Sequence, residues 1–361
     1  MEEKLIRFTS KVILGLTVIF AVLYLKLPDV KAWAVAREMA AGMSESVHQG
    51  QQNMNTIPLV DLENADGKKA MQLRVVLPEG VSGEQIQIRC DYGTQTLYIE
   101  LPHTDNSYFE NSPIMGRSDD IKDLCYTQGR NVDIIAISTE RVYEPVITYD
   151  EEYYYLDFVE PKQLYEYVVV VDAGHGGKDG GAGNAGVLEK DIDLAIVLAL
   201  KELFDASEED VKVYYTRTDD SNPSYESRVG LANKARADLF ISVHNNSYTS
   251  SSEIKGTEVM YSESFEGKFS SQRLAEICME ELTEALGSND RGILEGDSIF
   301  IIKNSEVPVA LVEVGFMTNR EELKLLNSKT YQKKAAEAIY RAIFRALEEV
   351  SVVEENEEVE E

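Results

Sequence analysis

The spacing of apolar residues changes near residue 165, and the change divides the chain into two kinds of fold. Upstream, apolar residues recur at every second position: Leu73, Val75 and Leu77, then Ile86, Ile88 and Cys90, then Leu97, Ile99 and Leu101, with Asp91-Tyr92-Gly93 as turn chemistry between the last two sets. A period of two turns one face of a strand to a core and the other to water. Residues 132–138, 146–149 and 154–158 continue the pattern, so 56–162 is expected to form a small all-β, sandwich-like domain. Downstream, strand-length runs at 167–172, 211–217, 239–244, 256–262, 298–303 and 308–316 come between helical stretches at 191–204, 228–236, 269–286 and 331–349. Ile192, Ile196, Ala199 and Leu203 form one apolar stripe at helical spacing. This order predicts an α/β domain over 167–349 with a mostly parallel sheet covered by helices.

The first residues carry a different signal. Lys4, Arg7 and Lys11 lie in a basic segment, 1–11, ahead of an uncharged run at 12–25 that Lys26 closes. The run is short of the roughly 20 residues a spanning helix needs, although Phe8, Thr9 and Ser10 can extend it. Basic residues before it keep that end in the cytoplasm. The expectation is a single-pass signal anchor at 12–27, a linker at 28–55 and an extracytoplasmic remainder. Ala34-Val35-Ala36 leaves secretion after cleavage as the alternative. Residues 350–361 are expected to be a disordered acidic tail. A formal net charge of −29 disfavours nucleic acid as a partner. The three cysteines, Cys90, Cys125 and Cys278, are far apart and form neither a zinc cluster nor a disulfide framework.

The loop after residue 172 admits two chemistries. Gly181-x-Gly183-x-x-Gly186 has the form of a dinucleotide-binding turn. Such a turn places its first glycine at the end of the strand, and Gly181 comes too late. It also leaves His175 and Glu189 without a role. In open α/β sheets, ligands bind beyond the carboxyl ends of the strands. His175 follows the first strand, Glu189 opens the next helix, His244 ends the strand at 239–244, and Glu313 lies near the end of the strand at 308–316. Parallel strands would bring all four to one rim. Two imidazoles and a carboxylate with an open position form a catalytic zinc arrangement. Glu313 sits in an apolar run, where burial would raise its pKa and suit it to proton transfer. The pattern therefore points to a metal hydrolase, with a nucleotide enzyme as the lesser alternative.

The motifs Val171-Asp172-Ala173-Gly174-His175-Gly176-Gly177, Leu188-Glu189-Lys190-Asp191, Tyr215-Thr216-Arg217, Arg228 with Ala232-Asn233, Ala237 through Asn246, and Leu311-Val312-Glu313-Val314-Gly315-Phe316-Met317-Thr318-Asn319 succeed one another in order. Together they resemble the successive motifs of the zinc-dependent N-acetylmuramoyl-L-alanine amidases over about 168–348. The resemblance implies cleavage of the amide between muramic acid and L-alanine of the peptidoglycan stem peptide. It implies one Zn2+ per chain on His175, Glu189 and His244, with Glu313 catalytic, and it points to Asn246 and Arg291 as substrate contacts. It further implies an open groove, because no plugging helix is evident between His244 and Arg291. The β-rich region is similar in pattern to the accessory domains that precede some of these amidases and target them to the wall; a spacer, or a module that binds wall or division-machinery partners, is the alternative. A zinc peptidase cutting within the stem peptide, or a wall-binding protein without catalysis, remains the alternative.

Overall fold

The computed structural model describes residues 72–105, 108–116, 120–129 and 131–358, together with the short strand pieces 55–56 and 59–60. The expected anchor at 12–27 and linker at 28–55 lie outside the described residues, apart from Asn55. Among the described residues no helix is long and apolar enough to cross a membrane.

The period of two upstream of residue 160 builds two five-stranded sheets. Thr96–Pro102 and Tyr153–Val159 alternate strictly between buried and half-buried positions. Ile99 and Ile137 from one sheet, and Leu73 and Leu156 from the other, are fully buried in one apolar cluster. Each such side chain removed from water contributes about 1.5–3 kcal/mol.

This β-rich region is fastened to the α/β region downstream. Glu144 is buried and accepts hydrogen bonds from Tyr214 Oη at 2.5 Å and Tyr92 Oη at 3.1 Å, and it pairs with Lys212 Nζ at 2.9 Å. Val142 joins the apolar cluster of the downstream sheet. Ser227 Oγ donates to the Gly93 carbonyl at 3.0 Å, and Lys162 pairs with Asp238.

The α/β region contains β1 (Tyr167–Ala173), α1 (Glu189–Asp205), β2 (Val211–Tyr215), α2 (Tyr225–Ala235), β3 (Leu239–Asn246) and β4 (Thr257–Tyr261). It continues with α3 (Ser271–Leu286), β5 (Asp290–Glu295), α4 (Phe300–Lys303), β6 (Val309–Phe316), α5 (Arg320–Leu326) and α6 (Lys329–Glu358). The six strands form one sheet in the order β2-β1-β3-β6-β4-β5. β1 runs parallel to β2 and β3, and β3 to β6; β4 runs antiparallel to β6. Alternate residues of β1 feed opposite layers. Val169 and Val171 pack with α1, α3 and α6, whereas Val168 and Val170 pack with α2 and α4. Ala335, Ile339, Ala342, Ile343 and Ala346 give α6 an apolar stripe that is fully buried. Because β1, β3 and β6 are parallel, their carboxyl ends meet at one rim.

Several elements differ from the sequence expectation. Within 298–303, Phe300–Lys303 forms a helical turn, closed by Lys303 N donating to Ile299 O at 2.9 Å, rather than a strand. A short apolar run carries no period that separates the two. The edge strand β5 and the short helix α5 are additional; β5 is largely exposed and mostly polar, so it lacks the apolar alternation of a buried strand. α6 extends to Glu358, so residues 350–358 are helical where a disordered tail is expected. Val350 is buried on the same stripe, and Arg273 binds Glu349 through two hydrogen bonds of 2.9 Å, which carries the helix into the acidic segment.

Candidate metal centre

β1 delivers the first ligand through a loop gripped from below. Asp172, fully buried, accepts hydrogen bonds from Thr216 Oγ1 at 2.5 Å, Ser242 Oγ at 2.6 Å and Arg228 Nη1 at 2.6 Å. Burial opposes its charge, but the Arg228 guanidinium, His244 and the two hydroxyls outweigh it and hold the carboxyl below its ordinary range. Arg228 also donates to the carbonyls of Ala173 and His175, at 2.6 Å each. Arg217 donates to Ala173 O at 2.9 Å, Gly174 O at 2.6 Å and Lys190 O at 2.9 Å. Two arginines thus satisfy the carbonyls of a buried turn and hold His175 in a left-handed conformation, φ 57°.

The ligand atoms converge on one carboxylate oxygen. Glu189 Oε1 lies 3.1 Å from His175 Nε2 and 3.1 Å from His244 Nδ1. The two imidazoles are 4.9 Å apart and nearly perpendicular, at 80°. Asp179 Oδ2 sits 2.9 Å from His175 Nδ1, leaving Nε2 facing inward. The other Glu189 oxygen accepts from Ala182 N at 2.7 Å. Glycines make room for this packing. A Cβ at Gly174 would lie 2.3 Å from His244 Cε1, and one at Gly181 would lie 2.5 Å from Glu189 Oε2. The glycines of the loop therefore frame imidazoles and a carboxylate. The Glu189 side chain, on the first residue of α1, accepts from Ala182 N and Asn245 N, so the carboxylate is bound between the glycine loop and β3.

Asp193 adds a second carboxylate, one helical turn beyond Glu189 on α1. Donor atoms of His175, Glu189, Asp193 and His244 all lie within 4.8 Å of one another, so the group could hold a metal ion. Asp193 Oδ1 accepts from Asn245 Nδ2 at 2.7 Å, and its Oδ2 is buried without a partner. Burial, with Glu189 next, pushes its carboxyl well above the usual range. Imidazole nitrogens and carboxylate oxygens, with one buried oxygen still unpartnered, suit zinc. The spacing of Glu189 and Asp193 carries the signal for this fourth member, since residues four apart share a helix face.

Glu313 stands beside the cluster. It is the register partner of His244 on the neighbouring strand, and its Oε2 is shut off from solvent with no hydrogen-bond partner. Burial raises its carboxyl to about 7; His244 works against the shift, and Glu189 and Glu258 add to it. His175 is also displaced. Its burial opposes a proton, but Glu189 and Asp179 prevail and lift it to about 9. Residues His175, Glu189, His244 and Glu313 open onto one cavity of about 410 Å³, which Tyr225, Ile299, Phe300, Ile301 and Leu311 also line. Of the two expected substrate contacts, Asn246 lines this cavity and Arg291 does not. Both are engaged by Glu258: Arg291 Nε donates to it at 2.7 Å and Asn246 Nδ2 at 2.8 Å. The helix between His244 and Arg291, α3, packs into the core through Leu274, Ile277 and Cys278, and none of its residues lines the cavity.

A parallel rim that gathers two imidazoles, two carboxylates and a separate proton-binding carboxyl around an open cavity defines a hydrolase with a candidate metal centre. Residues 169–345 match the family model Amidase_3, described as N-acetylmuramoyl-L-alanine amidase. The germination-specific N-acetylmuramoyl-L-alanine amidase of Bacillus subtilis strain 168 is 32% identical over 193 residues, covering 49% of this chain and 78% of that protein. The uncharacterized protein YqiI of the same strain is 40% identical over 185 residues, covering 51% of this chain and 84% of that protein. Among solved structures, the catalytic domain of the amidase CwlV from Bacillus (Paenibacillus) polymyxa var. colistinus shares 33% identity, covers 50% of this chain and 98% of that one, and has a TM-score of 0.47. The chain belongs to the N-acetylmuramoyl-L-alanine amidase family.

Proposed function

We propose that the chain is a peptidoglycan hydrolase that cleaves the amide between the lactyl group of N-acetylmuramic acid and L-alanine, with one zinc ion held by His175, Glu189 and His244. The observation that carries the proposal is the single oxygen, Glu189 Oε1, 3.1 Å from a nitrogen of each imidazole, with the Glu313 carboxyl, its Oε2 buried and unpartnered, on the adjacent strand. Zinc, when bound, supplies a Lewis acid that polarises the scissile carbonyl and makes water more acidic. Asp179 orients His175 through Nδ1, and Arg217 and Arg228 fix the loop that presents it. Glu313, poised near neutrality, takes a proton from the attacking water and returns it to the departing L-alanine nitrogen. The products are a lactyl carboxylate and a free amine.

A cell-wall substrate puts the enzyme outside the cytoplasm. Residues 12–27 serve as its single-pass membrane anchor, and 56–162 as an accessory module for the wall or for division-machinery partners. Substrate contacts come from Asn246 at the cavity wall, with Arg291 acting through Glu258.

Mass spectrometry of purified peptidoglycan, digested with and without added zinc, tests the reading. A new free L-alanine amine, abolished by a chelator, is expected. A cut inside the stem peptide would replace the amidase by a zinc peptidase.

A further inference from the structure

Tyr225 and Phe300 are large aromatic residues left exposed on the cavity that the metal-ligand candidates also line. Their exposures are 58% and 39%, and their ring centroids stand 6.2 Å apart with planes inclined by 33°. Both are held from beneath. Tyr225 is the first residue of α2, where Ser224 accepts from Ser227 N at 3.2 Å. Phe300 opens α4, whose next residues, Ile301 and Ile302, are buried at 3% and 0%. Neither ring is needed to fill the core, and both line the cavity that contains His175, His244 and Glu313.

We infer that Tyr225 and Phe300 form the subsite for the sugar ring of the substrate, stacking on the pyranose face while the attached amide reaches Glu313. The inference rests on the amidase reading above. The scissile amide has a neutral sugar on one side and a carboxylate-bearing peptide on the other. Among the described residues, no lysine or arginine lines this cavity, and the chain as a whole is strongly acidic. An anionic peptide would find no counter-charge on that wall. A pyranose presents a face of C–H bonds, which the electron-rich face of an aromatic ring attracts. A splayed pair of rings grips such a face without needing charge.

The test separates sugar from peptide. Tyr225→Ala and Phe300→Ala are each expected to lower kcat/KM on a disaccharide-peptide about tenfold, chiefly through KM, with zinc content and melting temperature unchanged. On a lactyl-L-alanyl peptide, which keeps the amide and lacks the ring, the same variants should match the parent. Tyr225→Phe should retain parental behaviour. As a measurement independent of turnover, N-acetylmuramic acid titrated calorimetrically into zinc-loaded Glu313→Gln protein should bind, and adding Tyr225→Ala should weaken it. Equal losses on both substrates would make the wall a peptide subsite and overturn the inference, as would unchanged kinetics on the disaccharide-peptide. A parent that releases no L-alanine amine from either substrate would instead remove the amidase reading.

Discussion

His244 and Glu313 are register partners on adjacent parallel strands, so a metal-ligand candidate and a proton carrier are set side by side by backbone hydrogen bonding alone. No loop movement is needed to bring them together. The strands that carry them are central in the sheet and buried on both faces, which makes their relative position among the most rigid in the molecule.

Glu313→Gln should abolish amide hydrolysis while retaining zinc. It should also stabilise the metal-free protein at alkaline pH. The folded carboxyl, at about 7, stands above its ordinary value of 4.5. The native state therefore holds the proton more tightly, and stability falls as pH rises from about 4.5 to 7. The full cost above pH 7 is about 3 kcal/mol. Thermal melts of parent and variant without metal should coincide near pH 4 and separate by pH 8, with the variant higher. Coincident melts at pH 8 would contradict the assignment.

Zinc uptake should release a proton from His175. Its folded value of about 9 exceeds the ordinary 6.5, so the metal-free protein gains stability from that proton below pH 6.5 and loses it as pH rises through 9. Zinc must displace it, and the apparent affinity should climb about tenfold per pH unit below 9 before levelling. Calorimetry in buffers of different ionisation enthalpy reads the proton count directly. Uptake without proton release near pH 7 would refute it.

Gly181→Ala should cost metal rather than fold. The added Cβ would stand 2.5 Å from Glu189 Oε2 and 2.7 Å from His175 Cδ2, at φ 63°. A drop of about tenfold or more in zinc affinity, with circular dichroism unchanged, is expected. Parental zinc content would show that the close approach is not needed.

Arg228→Met should destabilise the chain by about 3–5 kcal/mol, because it strands the buried Asp172 carboxylate. The double variant Arg228→Met, Asp172→Asn should recover part of that loss and still hold zinc poorly, since the carbonyl of His175 loses its donor. Urea melts and metal analysis measure the two effects separately.

The rim is legible in the sequence because its chemistry is concentrated in unusual residues. Histidines at strand ends and a glutamate inside the apolar run 309–316 suit a metal and a proton carrier better than they suit a core, and the structure brings all three, with Glu189, to one cavity. Asp193 is harder to single out, because an acid in the first turns of a helix is ordinarily a favourable partner of the helix dipole. Arg217 and Arg228 stand within recognisable motifs, but their hydrogen bonds are directed at backbone carbonyls, and a sequence shows no carbonyl in need of a donor. Arg291 is expected to face substrate, yet it turns to Glu258. That acid lies on a different strand, and only the pairing of β4 with β5 and β6 reveals that the two meet. The turn at Phe300–Lys303 is obscured for a separate reason: apolar residues in succession look alike in a strand and in one turn of helix.

The Glu144 cluster has a practical corollary. Tyr214 and Lys212 belong to β2, an outermost strand, and they are covered by side chains from upstream of residue 160. A truncated protein beginning at Tyr167 would leave the Tyr214 phenol and the Lys212 ammonium deprived of their acid and would uncover the apolar surface on which Val142 packs. The catalytic half is best produced with its β-rich neighbour attached.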